Sequence, residues 1–368
     1  MYQRYKKYLK GPTMTNYLSV KLRVISFFSL IMVVYLHSYN LVKNTNTGNT
    51  EIYKSFNSFF QDFFSQGITG IAVPLYFSIS GYLFFKNING PLNEFITKFK
   101  KRLKTLVLPY LFWSVLGLLF FFILQNIPQL KTYCTTVLIR DYTFRHLLFI
   151  ILINPIPYQL WFIRDLIVLI SLTPIVYLLI KYFNYFTLLF FLFTWFYEFN
   201  FILFSNEAIF FFVFGAFLCL KKDNLIQIKF SIKSCIYTYI WIAIVFCKTS
   251  LVYMKFHNLL VLNILNKTSI LIGVLALWSL YDILLKNKNL SNHKFYSLIS
   301  FSFFIYAFHE PILNILKTVL FLILGKDEFV SFLVYIIAPL IVISIGVFLG
   351  FYLKRITPKF YGIITGGR

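Results

Sequence analysis

Residues 21–40 read KLRVISFFSLIMVVYLHSYN. Two cations open the stretch, no charge follows between Arg23 and His37, and the apolar run ends on the histidine. In a helix Arg23 and His37 are ~21 Å apart along the axis and lie within ~40° of one face. One apolar helix thus offers a cation near one membrane surface and an imidazole well inside. A polar group at that depth is costly, which makes it a candidate for function. The alternative is that His37 only hydrogen-bonds a neighbouring helix.

The whole chain has the same character. Its 368 residues are 59% hydrophobic and 13% charged, with mean hydropathy +0.75 and 47 Phe. Soluble domains are about 45–50% apolar and about 25% charged. The composition predicts an all-α, polytopic membrane helix bundle without a separate soluble domain. At about 20 residues per span, ten spans are expected, at 22–42, 67–86, 105–125, 159–180, 183–203, 205–220, 233–250, 268–285, 297–317 and 329–353. The net charge of +23 does not point to nucleic acid. Most cations fall in alternate short loops, which predicts both termini on the cytoplasmic side. The expected organisation is a basic N-terminal segment at 1–21, a transmembrane domain at 22–353 and a short basic tail at 354–368. No cleavable signal is evident, and either Met1 or Met14 could be the start. Cys134, Cys219, Cys235 and Cys247 show neither a CxxC nor a Cys/His pattern, so no disulfide framework or metal site is expected.

Three stretches read as interfacial rather than spanning. In 51–66, Phe56, Phe59, Phe60, Phe63 and Phe64 recur at helical spacing, opposite Lys54, Asn57, Ser58, Gln61 and Asp62. That pattern predicts an amphipathic helix in the outer interface. Residues 146–158 are too short to span and are stopped by Pro155 and Pro157; 251–266 is a third such stretch.

Polar residues inside the spans mark the candidate chemistry. The second span holds Pro74, Ser78, Ser80, Gly81 and Tyr82, which fit either a packing kink or the wall of a cavity. The loop after it carries Lys98, Lys100, Lys101, Arg102 and Lys104. These cations can bind phosphate or anionic lipid, or only set topology. The fourth span opens with Trp161, Arg164 and Asp165. Helix neighbours do not face each other, so Arg164 and Asp165 are each expected to have their own partner. Arg164 either holds a ligand or snorkels to the border. In the ninth span His309 and Glu310 precede Pro311, a second polar contribution to one central site. His146, His257 and His293 fall in loops or at span borders. No GxSxG, HExxH, P-loop or GxGxxG motif is present.

Together LRVISFFSLIMVVYLHS (22–38), GIAVPLYFSISGYLFF (70–85), KRLKTLVLPYLFWS (101–114), LWFIRDLIVLISLTPIVYLLIK (160–181), FFVFGAFL (211–218) and SFFIYAFHEPIL (302–313) resemble the bacterial acyltransferase-3 family of integral membrane acyltransferases. The stretches occur in the family's order across nearly the whole chain. The resemblance implies a ten-helix O-acyltransferase of the bacterial inner membrane, with cytoplasmic acetyl-CoA as donor and a cell-envelope or exported glycan as acceptor. It implies acyl-CoA as co-substrate, no bound cofactor and no metal. His37 matches the family's first-helix histidine. The arginine expected ten intervening residues earlier is replaced by Ser26, with Arg23 about one turn further away. The family's Arg-x-x-Arg motif corresponds to Lys101-Arg102-Leu103-Lys104, where terminal lysines keep charge but not the planar fork.

The expected site therefore has His37 as general base and Arg23 as its charged companion. Lys101, Arg102 and Lys104 hold the donor phosphates. Ser80, Tyr82, Trp161, Arg164, Asp165, His309 and Glu310 line the acceptor side. The rival reading is a transporter or flippase for a sugar or glycolipid, which also needs buried polar groups and broken helices.

Overall fold

In a computed structural model the described residues are 14–41, 55–127, 137–199, 201, 204–286 and 294–367. The basic extension 1–13, Cys134 and His293 lie outside them. All regular elements among the described residues are helices. In chain order those longer than four residues are α1 (Asn16–Ser38), α2 (Phe56–Phe85), α3 (Leu92–Asn126), α4 (Phe144–Leu152), α5 (Tyr158–Ser171), α6 (Thr173–Phe183), α7 (Tyr185–Phe196), α8 (Asn206–Lys221), α9 (Ile232–Tyr253), α10 (Leu259–Leu285), α11 (Tyr296–Leu324), α12 (Glu328–Ile356) and α13 (Pro358–Thr365).

Seven of these, α1, α2, α3 and α9 to α12, are long and apolar enough to cross a membrane. The pair α5 and α6, bent by 60° where α6 opens on a proline, makes an eighth if taken as one span. The two remaining stretches read as spans form shorter helices. α7 has 12 residues and α8 has 16, against the ~20 that cross a bilayer directly.

Side-chain to backbone hydrogen bonds fix how α1 and α2 run. Ser65 donates to the Tyr35 carbonyl at 3.1 Å, and Tyr76 to that of Ser26 at 2.5 Å. As the α2 number rises the α1 number falls, so the two helices are antiparallel. On its other flank α1 meets α12, where Tyr35 and Ser38 donate to the carbonyls of Ile336 and Tyr335.

The Phe-rich stretch at 56–66 is the first third of α2, not a separate interfacial helix. Its faces are also reversed. Asn57, Ser58, Gln61 and Ser65 are buried, while Phe56 is 73% exposed. Gln61 bonds Asn40 and Asn57, Asn57 bonds Ser331, and Tyr39 donates to Asp62 at 2.8 Å. In a lipid environment amides gain by pairing with each other, and phenyl rings lose nothing by facing hydrocarbon. The stretch at 146–158 does form a short helix, α4, whose last carbonyls accept from Tyr110 and Ser114 of α3. Residues from 259 onward in the third stretch are the start of α10.

α2 and α8 meet through glycine. A Cβ at Gly81 would stand 2.1 Å from the Phe212 carbonyl oxygen, and one at Gly215 would stand 1.9 Å from that of Ser78. Only residues without a side chain let the two backbones come this close. The 354–368 region is not a free tail. α12 runs through Ile356, and α13 packs back with Tyr361 and Ile364 buried and the Ile364 carbonyl accepting from Trp113.

The cation that α1 buries is Lys21. It lies 2.7 Å from Asp282 of α10 and 4.1 Å from the centre of the Trp278 ring. Asp282 also accepts from Tyr17 and from the Phe230 backbone. Removing one partner of a buried pair leaves an uncompensated charge, at a cost of roughly 3–5 kcal/mol. Asp282→Ala is therefore expected to lower the thermal midpoint of the purified protein sharply. The double variant Lys21→Met/Asp282→Leu should recover much of that loss in the same melting assay.

Candidate active site

The site begins with a proline. Pro311 sits inside α11 and has no N–H, so the carbonyl of Ala307 loses its helical donor. Glu310 leaves the helical conformation, at φ −109° and ψ 135°. Buried carbonyls in a membrane protein need donors, and two polar side chains supply them. Gln159 Nε2 donates to the carbonyls of Ala307 at 3.2 Å and Glu310 at 2.9 Å. His309 Nδ1 lies 2.6 Å from the Tyr306 carbonyl. Because a carbonyl can only accept, that nitrogen carries the proton and Nε2 is a lone pair. Nε2 is buried with no partner among the described residues.

Gln159 belongs to the tight turn Tyr158–Leu160 that follows Pro157 and starts α5. Tyr306 clamps the turn from the other side by donating to the Gln159 carbonyl. The turn thereby places Tyr158 between α1 and α11. Its hydroxyl is 2.9 Å from His37 Nδ1 and 3.2 Å from Glu310 Oε1. Asn314, one turn after Glu310, donates to the other carboxylate oxygen at 2.8 Å. The His37 and His309 rings stack, with centroids 5.4 Å apart and planes 26° apart. Lys317 donates to the carbonyls of His37 and Tyr39, at 2.7 and 3.5 Å, and pins the end of α1. Three helices thus meet at one imidazole, and Tyr158 beside it is 45% exposed.

His37, His309 and Glu310, read from the sequence as parts of one site, are together. Tyr158, Gln159, Asn314 and Lys317 escaped that reading. Asn314 and Lys317 stand four and seven positions after Glu310, on its helix face, so periodicity would have found them. Nothing local marks Tyr158, whose role depends on a turn packed against a distant helix.

Other expected members are elsewhere. Arg23 is exposed and donates to Tyr296 at 3.1 Å. It stands ~21 Å from His37 along α1, so the two do not act on one atom. Tyr82 bonds Asp223 at 2.7 Å beside Lys86, near the end of α2 remote from His37. Ser80 is half-buried on the same remote half, and Trp161 packs against Phe77 and Phe162. Arg164 and Asp165 do not have separate partners. The guanidinium folds back so that Nε and Nη2 both donate to Asp165 Oδ1, at 3.0 and 2.7 Å. Its Nη1 donates to the Ile153 carbonyl, and Asp165 Oδ2 accepts from the Ser205 backbone. Helix spacing governs where Cβ atoms point, but the arginine side chain is long enough to curl past that limit. The pair joins the end of α4 to the start of α8.

Lys101, Arg102 and Lys104 have no hydrogen bond or ion pair among the described residues. Just before them Lys98 donates to the carbonyls of Phe84 and Lys86, at the C-terminal end of α2. Since α2 opposes α1, these cations are level with the start of α1. They lie ~30 Å of helix rise from the level of His37, about the thickness of a hydrocarbon core. A five-residue π turn, Leu103–Val107, follows Arg102 and contains Lys104. Among the described residues no three His, Cys, Asp or Glu side chains gather as a metal site.

A partly buried imidazole tied to a carboxylate through a phenol, with free cations at the far end of the same bundle, fits group transfer. The family model described as an acyltransferase domain matches residues 21–358. The chain belongs to this acyltransferase family. It is also 25% identical, over 83% of its length and 81% of the relative's, to the succinoglycan biosynthesis protein ExoH of Rhizobium meliloti strain 1021. No solved structure matches it. The protein is thus a multi-pass membrane acyltransferase, and residues 21–358 carry both the imidazole site and the cationic end.

Asp165 is buried and, with Arg164, ties α5 to α4 and α8. Asp165→Ala should lower the thermal midpoint, by the roughly 1–3 kcal/mol of an unmade buried hydrogen bond to a charged group. Acyl transfer per folded molecule should stay within severalfold of the parent in a membrane assay.

Proposed function

We propose that this acyltransferase moves an acetyl or other short acyl group from acyl-CoA, at the cationic end of the bundle, to a hydroxyl of a cell-envelope or exported glycan at His37. The observation that carries the reading is the chain from His37 through Tyr158 to Glu310. An ionised carboxylate is the strongest acceptor in that chain, so the Tyr158 proton points to Glu310 and its oxygen accepts from His37 Nδ1–H. That tautomer leaves His37 Nε2 as the free base.

In the reaction Nε2 takes the proton of the attacking hydroxyl while its oxygen bonds to the thioester carbonyl carbon. The carbon–sulfur bond breaks, and the thiolate leaves with the proton returned from the imidazolium. Glu310, through Tyr158, stabilises the positive ring between the two steps. Lys317, within electrostatic reach of both His37 and Glu310, offsets negative charge developing on the carbonyl oxygen. His309 Nε2 accepts from a second donor on the substrate.

Lys101, Arg102 and Lys104 take the phosphates of the donor. The excess of cations at that end supports a cytoplasmic position in a bacterial inner membrane; on this reading the acyl group crosses most of the bilayer before transfer. The glycan acceptor rests on the likeness to a protein of succinoglycan biosynthesis and on the exposure of Tyr158 beside His37.

The test is acyl transfer by purified protein in lipid, with radiolabelled acetyl-CoA and an oligosaccharide acceptor. His37→Ala is expected to lose a factor of about 10²–10⁴ in rate; full activity in that variant would remove the base assignment. Tyr158→Phe should lose about tenfold or more in kcat with little change in KM for acetyl-CoA. Saturable movement of the glycan without acyl transfer would instead show a transporter.

A further inference from the structure

A polar cavity lies between α7, α8 and α10. It has a volume of about 190 Å³ and is lined by Glu198, Asn206, Glu207, Asn263, Asn266 and Lys267, with Trp195 at its wall. Its level in the bundle follows from two adjacent residues of α2. Ser65 faces α1 through the Tyr35 carbonyl, and the carbonyl of Gln66 accepts from Lys248 of α9 at 2.7 Å. Lys248 also donates to Asn266 Oδ1 at 2.9 Å. The cavity and His37 are therefore at the same end of the molecule, with α2 and the Lys248 side chain between the cavity and α1.

The cavity exists because α7 and α8 are short. Neither fills the thickness of the bundle, so their facing ends leave space that α10 lines with amides. The polar groups are only partly used up by each other. Lys267 is satisfied, donating to the carbonyls of Trp195 and Phe196 and pairing with Glu198 at 3.1 Å. Asn206 Oδ1, by contrast, is buried without a partner among the described residues. With Asn266 Oδ1 held by Lys248, its amide N–H groups remain as donors.

We infer that this cavity binds a neutral saccharide unit of the acceptor glycan, as a second subsite at the same end of the bundle as His37. The inference rests on the reading of a glycan as acceptor. Its chemistry is that of a sugar ring, whose hydroxyls each donate and accept. Amides and carboxylates meet them with both kinds of group. An anionic ligand is disfavoured by two carboxylates against one lysine that is already paired. A lipid chain is disfavoured by three asparagines. At about 30 Å³ per water, the volume equals about six waters, enough for one ring.

Isothermal titration of the full-length protein in lipid nanodiscs tests this, with oligosaccharides cut from succinoglycan and with maltotetraose as probes. Saturable binding of at least one probe is expected, unchanged in His37→Ala and at least tenfold weaker in both Asn263→Ala and Glu207→Gln. A thermal melt checks that the variants are folded. In the transfer assay the two cavity variants should raise KM for an oligosaccharide acceptor at least fivefold. They should leave kcat, and transfer to a monosaccharide glycoside, unchanged. Failure of every probe to bind, or binding unaffected by both cavity variants, overturns the subsite. Binding lost only in His37→Ala also overturns it, by placing the sugar at the first site. Inactivity of His37→Ala alongside unaltered cavity variants would leave the proposed function standing and remove this inference alone.

Discussion

A carbonyl group that loses its helical donor inside a membrane has to find another. Pro311 creates that situation in the middle of α11, and the site is assembled by its resolution. Gln159 answers the Ala307 and Glu310 carbonyls, and His309 answers that of Tyr306. Both answers have consequences for chemistry. Fixing Gln159 fixes its neighbour Tyr158 against His37. Using His309 Nδ1 as a donor determines its tautomer and leaves Nε2 as an acceptor.

The same requirement explains features that look unrelated. The amides at the start of α2 face inward and the phenylalanines outward, because the bundle interior is where polar partners are found. Lys317 spends its ammonium on the carbonyls at the end of α1, where the helix can no longer satisfy them. Lys21 is neutralised by Asp282 rather than left to reach the surface. Each of these removes an isolated polar group from an apolar medium, and Lys21 and Lys317 hold α1 near its two ends.

Much of this was legible in the residues. Fifty-nine per cent hydrophobic content and repeated apolar runs allow only a membrane helix bundle. His37, His309 and Glu310 stood out because a titratable group within an apolar run is rare. Other features escaped because they depend on reach rather than spacing. Arg164 curls back onto Asp165 against the helix-neighbour rule. Asn57 and Gln61 have a polar face like any surface helix, and only the packing of α1 and α12 shows that it points inward. Arg23 shares a face with His37 in principle, but its partner turned out to be Tyr296.

By itself the sequence determined the fold class, the family and the identity of the central imidazole, since apolarity, order of motifs and depth within a span are one-dimensional properties. The tertiary structure alone decided which groups touch that imidazole. Tyr158 lies 121 positions from His37 and 152 from Glu310, and no periodicity connects residues so far apart. Their contact is set by a proline break in one helix and a turn in another that fills its missing hydrogen bonds.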